Sequence, residues 1–181
     1  MRTNVLGFSG RIGSGKSTLS RLVASKIGWS WASFGKVVRD EAVRRGSQQT
    51  REILQTIGQQ LIDSGWNSFC KKVLESAKWH PGQHLVIDGI RHIEAIETLG
   101  QLAAPSEVRL VYVALDEPVR QSRLVARGDF GVTTAAEQHP VESQVPDALL
   151  NRADLVVDSS GSEEHCVVQV VEWLRSQNLA L

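Results

Sequence analysis

Cysteine is scarce in this chain. Cys70 and Cys166 stand far apart, with no C-x-x-C pair and no histidine at zinc-ligand spacing. That speaks against a disulfide framework or a zinc site and suits a reducing compartment with buried thiols. Charge of one sign is lacking too: 20 Lys and Arg balance 20 Asp and Glu. No overall field therefore recruits nucleic acid or an anionic membrane, and any bound anion must be held by a local arrangement. No apolar stretch approaches bilayer length, and the amino-terminal MRTNVLGFSG has too short an apolar run for a signal peptide. A cytoplasmic protein with no nucleic-acid or membrane partner is expected. Internal repeats and low-complexity tracts are also missing. What remains is an ordinary globular composition, 41% apolar and 22% charged over 181 residues, long enough to bury most of its apolar surface as one domain spanning 1–181.

Against that plain background one stretch stands out. Residues 8–18 read FSGRIGSGKST, and Gly10, Gly15, Lys16 and Ser17 match the phosphate-loop pattern G-x-x-x-x-G-K-[ST]. Successive backbone N–H groups of Arg11, Ile12, Gly13, Ser14, Gly15, Lys16 and Ser17 can converge on a phosphate only where side chains leave room. The helix expected to start near Ser17 and Thr18 adds the positive end of its dipole. Lys16 would reach the β and γ phosphates of ATP and Ser17 Oγ would ligate Mg²⁺. The spacing Gly10, Gly13, Gly15 does not fit the dinucleotide fingerprint G-x-G-x-x-G.

The flanking rhythm is α/β. Val5 to Phe8 is a short apolar run suited to a buried parallel strand, and Leu19, Leu22, Val23 and Ile27 form the inner face of a helix ended by Gly28. Further strands are expected at 29–34, 84–88, 108–115 and 154–158, with helical patterns between and after them. Such alternation implies right-handed crossovers and a parallel sheet covered on both faces. Residues 128–150 break the rhythm and read as an insertion over one sheet edge, of the kind that forms lids.

Asp88, at the carboxyl end of the VID strand, points into the crevice where open α/β sheets bind ligands. It could hold Mg²⁺ through water, take the proton from an attacking hydroxyl, or simply cap the next helix. Gly89 follows it where ATP-hydrolysing motors place Glu, which favours transfer to a bound acceptor. Arg39, Arg91, and the helix-spaced Arg120, Arg123 and Arg127 offer guanidinium forks for phosphate oxygens. Arg44 and Arg45 are assigned to the surface. The five tryptophans read as packing residues, with Trp66 or Trp79 able to line an acceptor pocket, and the histidines show no ligand spacing.

GRIGSGKST, FGKVVRDEA, VIDGIR and DEPVRQSRLVARGD, in that order, resemble the nucleoside monophosphate kinase-like branch of P-loop proteins, which includes adenylate kinase, dephospho-CoA kinase and deoxynucleoside monophosphate kinases. The resemblance implies a three-layer α/β/α fold with a five-stranded parallel sheet, an acceptor-binding helical region near 34–80 and a lid near 128–150. It places Arg39 and Arg91 on the acceptor, makes Arg123 and Arg127 the lid-flanking arginines, and sets the loop holding Ser160 and Gly161 along the adenine ring. Lys36 stands where adenylate kinases have Asp, the proline of their D-G-F-P-R is missing, and 129–150 holds no arginine.

The leading expectation is an ATP- and Mg²⁺-dependent phosphotransferase, monomeric or homodimeric. It would move the γ-phosphoryl onto a small, phosphorylated acceptor such as a (deoxy)nucleoside monophosphate. Alternatives are a dephospho-CoA kinase-like enzyme or, from the arginine-free lid, a non-catalytic ATP-binding regulatory protein. A GTPase switch is disfavoured, since no N-K-x-D tetrad occurs.

Overall fold

The computed structural model describes residues 4–128, 139–140, 145 and 147–177. Five strands, β1 (Asn4–Ser9), β2 (Ser30–Ser33), β3 (Leu85–Asp88), β4 (Glu107–Ala114) and β5 (Leu155–Asp158), form one sheet in the order β2-β3-β1-β4-β5. Every pairing is parallel. Helices α1 (Lys16–Ile27), α2 (Phe34–Arg44), α3 (Arg51–Asp63), α4 (Trp66–Ser76), α5 (Ile93–Ala103), α6 (Glu117–Ala126), α7 (Ala148–Arg152) and α8 (Glu163–Ser176) complete the three layers. The five expected strands are all present, within a residue or two of their expected ends.

Strand side chains alternate between two cores, as the two-residue strand period requires. Val5, Leu85, Ile87, Leu110 and Tyr112 face the side covered by α2 to α5. Leu6, Phe8, Val86, Val111 and Val113 face α1 and α8, meeting Leu19, Val23, Val170 and Leu174. Both faces are buried, so these strands read as unbroken apolar runs. Each fully buried aliphatic or phenyl side chain contributes roughly 1.5–3 kcal/mol. A Cβ at Gly7 would meet the end of the buried Ile90 side chain, which would have to shift to admit it.

Local signals set the helix ends. Ser33, Thr50 and Ser162 cap α2, α3 and α8, their hydroxyls accepting the N–H of Lys36, Ile53 and His165. Gly28 closes α1 at φ 71°, its N–H bonded to Ala24 O. Arg44 and Arg45 lie outside, both paired with Glu41, whose carboxyl they hold down to about 2.

One expectation needs correction. Most of 129–146 lies outside the described residues, but the end of the supposed edge insertion belongs to the core: Val145 and Leu149 are buried in the cluster on the α5 side. Helix α7, which carries Leu149, is five residues long, too short for a periodic pattern to show in the sequence.

His84 ties the sheet's amino-terminal end. Its ring stacks on Trp29 at 4.3 Å, and its Nδ1 accepts the Asn4 N–H at 3.1 Å. Burial pushes the imidazole pKa below its ordinary value. The folded state therefore resists protonation. This contribution to stability is whole above the usual histidine value of about 6.5 and fades as pH falls through it. Thermal unfolding between pH 8 and pH 5 is expected to show wild-type protein losing stability on the acid side, with His84→Gln flattening that decline. An equal decline in both would remove His84 as its source.

Candidate active site

The site forms where the chain changes direction across the sheet. From central β1 it passes to β2 and β3 on one side, then to β4 and β5 on the other. At such a point the carboxyl ends of the strands open a crevice. The parallel register sets Phe8 beside Asp88 and Asp88 beside Ser33, so the loop after β1, the end of β3 and the cap of α2 meet.

Residues 10–15 turn sharply there, with Gly10, Gly13 and Gly15 at φ 147°, 88° and 85°, values that L side chains rarely adopt. Space is equally restrictive at Gly10, where a Cβ would lie 2.5 Å from Val113 O and 2.8 Å from Ser14 Oγ. Helix α1 opens without a side-chain cap and with no acidic residue in its first turn, leaving N–H donors and dipole available to an anion. Lys16 is buried at its first position, while Ser17 and Thr18 are exposed.

A cavity of about 460 Å³ begins at this loop, with Ile12, Gly13, Lys16 and Ser17 in its wall. Arg39 of α2 and Arg91 after β3 line the same space, so the two arginines expected on the acceptor and the phosphate loop share one cleft. Val38, Leu54, Ile62, Trp66 and Phe69 supply the apolar part of its wall. Of the two tryptophans singled out, Trp66 reaches the cleft; Trp79 is packed inside, its Nε1 donating to Gln83 O at 2.9 Å.

Although Gly89 is in the cavity wall, Asp88 just before it, 5% exposed, is not. Ser33 Oγ donates to its Oδ2 at 3.4 Å, and Oδ1 is buried with no hydrogen-bond partner among the described residues. A buried carboxylate oxygen without a partner is costly and fits an incoming cation or proton. Among the described residues no group of three or more His, Cys, Asp or Glu could hold a metal ion. One carboxylate and one hydroxyl suit magnesium, which is held largely by phosphate and water. The capless helix, the glycine cradle and the orphan oxygen thus fit a magnesium-bound triphosphate.

The arginines of α6 separate. Arg120 is buried against the loop, Arg123 donates to Ser159 O at 2.8 Å, and Arg127 is exposed at the helix end. None of the three lines the cavity. Ser160 donates through its N–H and Oγ to Asp158, and Gly161 beside it is exposed; neither reaches the cavity. Sequence reasoning missed Gln49, Arg51, Gln55 and His92, all in the cavity wall. His92 directly follows Arg91, a signal that was open to use; the other three sit on a helix and its lead-in whose facing only packing decides. Cys70 is buried behind this region, its thiol pushed up to about 12 by burial, and is a packing residue.

No helix among the described residues is long and apolar enough to cross a membrane. A family model described as an AAA domain matches residues 6–143. A UPF0200 protein of Pyrobaculum aerophilum is 34% identical over 160 residues, covering 85% of this chain and 86% of its own. The dephospho-CoA kinase of Enterococcus faecalis is 27% identical over 200 residues, covering 97% and 98%. Shikimate kinase from Aquifex aeolicus superposes with a TM-score of 0.57 at 14% identity over 96% and 98% of the two chains, a likeness of fold. With an AAA-domain model matching most of the chain and a UPF0200 protein aligned over most of its length, this chain belongs to the AAA-domain family that the model describes, alongside the UPF0200 proteins.

Proposed function

We propose that the protein transfers the γ-phosphoryl of ATP to a small, phosphorylated acceptor such as a (deoxy)nucleoside monophosphate. One observation carries this reading: the phosphate loop and two arginines from separate elements, Arg39 and Arg91, wall a single cavity. A donor held at the loop and an anionic acceptor held by the arginines would face each other across it.

The chain's work is then positioning and electrostatics. Loop amides and Lys16 hold the donor phosphates, and the two guanidinium forks hold the acceptor in line with them. Ser17 and Asp88 would hold Mg²⁺, which would supply neutralising charge to the donor phosphates. Where the acceptor is a hydroxyl, Asp88, next to Gly89 of the cavity wall, would be the group to take its proton. Arg123, whose Nη1 lies 3.7 Å from where a Gly15 side chain would be, is the α6 arginine best placed to offset charge developing at the loop, and Arg127 stands one turn further on.

Loss of Arg39 removes a charge-assisted contact to the acceptor and nothing from the donor. Arg39→Ala is expected to raise the acceptor KM roughly 10- to 100-fold, the equivalent of about 1.5–3 kcal/mol, with the ATP KM little changed. Equal rises in both constants would displace Arg39 from the acceptor side.

The similarity to dephospho-CoA kinase supports dephospho-CoA as a second acceptor class. The lack of arginine in 129–150 supports a third reading, a regulatory protein that binds ATP without transferring phosphate. The test is incubation of purified protein with ATP, Mg²⁺ and a panel of nucleoside monophosphates and dephospho-CoA, with products identified by mass spectrometry. A phosphorylated monophosphate supports the proposal. Tight ATP binding with no product from any acceptor supports the regulator.

A further inference from the structure

Arg120 does a different job from the other α6 arginines. It is 5% exposed. Its Nε and Nη2 donate to Glu117 Oε2 and Oε1 at 2.9 and 2.7 Å, and its Nη1 donates to Ile12 O at 3.0 Å. Glu117 also accepts from Arg11 Nη1 at 2.8 Å, and the Arg120 contact holds the Glu117 carboxyl down to about 2. The fork is therefore locked at one end on a carboxylate and spends its remaining edge on a carbonyl of the phosphate loop. A second loop carbonyl is held nearby. Ser159 Oγ lies 2.8 Å from Ser14 O and 2.9 Å from Ala114 O, and Arg123 Nη2 grips Ser159 O.

In a trans peptide the C=O and the following N–H point in opposite directions. Holding Ile12 O outward against α6 turns the Gly13 N–H toward the cavity that Gly13 lines. Ser159 Oγ has one proton for its two carbonyl neighbours, and when it donates to Ser14 O the Gly15 N–H is turned away from Ser159. Gly13 also lets α6 come close, since a Cβ there would lie 2.9 Å from Leu124 Cδ2.

We propose that Arg120 and Ser159 are positioning residues of the donor site, pinning two loop carbonyls outward so that the amides that follow them, of Gly13 and Gly15, are aimed at the donor phosphates before ATP arrives. This rests on the reading of the loop as an ATP site. Neither side chain touches substrate, so their effect falls on ATP affinity and leaves the acceptor cleft alone.

The experiment is isothermal titration of ATP with Mg²⁺ into full-length wild type, Arg120→Lys, Arg120→Ala and Ser159→Ala, with ATP and acceptor KM and Tm measured beside it. Arg120→Lys keeps a charge for Glu117 but cannot serve Glu117 bidentately and Ile12 O together, so it covers the case in which the alanine variant folds poorly. The ATP Kd is expected to rise about tenfold in both Arg120 variants and several-fold in Ser159→Ala, with acceptor KM within about twofold of wild type. Unchanged ATP Kd in Arg120→Lys and Ser159→Ala overturns the proposal, as do ATP and acceptor constants that rise in proportion. Wild-type protein that binds no ATP overturns this inference together with the ATP reading; wild type that binds, with variants equal to it, overturns this inference alone.

Discussion

Lys16→Ala should lower kcat by about 10²- to 10³-fold while the protein keeps its fold and melts within a few degrees of wild type. Lys16, at the first position of α1, lines the cavity beside Ser17, at the end of the helix that already carries positive partial charge. It is the lysine that the loop pattern aims at the β and γ phosphates. Charge that develops there during transfer needs a fixed partner, and water admitted by an alanine reorganises too slowly and too weakly to replace it. The fold has little stake in the side chain, since alanine is the better helix former. Product formation measured beside a thermal melt separates the two effects. A variant within about tenfold of wild type would remove Lys16 from the chemistry.

Asp88→Asn is the second large effect expected, a fall in kcat of about 10²- to 10⁴-fold. The side chains are nearly isosteric, and an asparagine oxygen can still accept from Ser33 Oγ, now 3.4 Å from Asp88 Oδ2, so the lesion is one of charge. What disappears is the anionic oxygen that is buried without a partner. Titrating Mg²⁺ distinguishes its two roles. If Asp88 holds the metal, high Mg²⁺ restores part of the rate. If it takes a proton from a hydroxyl acceptor, saturating Mg²⁺ restores none, and a phosphate acceptor, which needs no base, is affected far less. Full activity at ordinary Mg²⁺ would rule out both.

These expectations differ in how they could be reached. Lys16 and Ser17 are readable from spacing alone, because a phosphate loop is built from consecutive residues whose glycines and helix start are local facts of the chain. Asp88 is half readable: a carboxylate at the end of an apolar run marks a strand end, but its neighbours Phe8 and Ser33 come from β1 and β2. Arg120, Arg123 and Arg127 look alike in the sequence, one or two helical turns apart. Only the packing of α6 on the loop makes the first a clamp on Ile12 O, the second a partner of Ser159 O and the third an exposed cap.

By itself, then, the order of residues determined the local units: five apolar strands, their helices and caps, and the glycine turn with its lysine. Each depends on interactions within a few residues, where backbone sterics and side-chain period act directly. Tertiary structure alone decided the strand order with β1 at its centre, the gathering of Arg39, Arg91, Trp66 and His92 around one cavity, and the placing of Val145 and Leu149 in the core. Those outcomes join residues far apart in sequence. They follow from burying both faces of the sheet at once, a condition on the whole chain that no short stretch of it expresses.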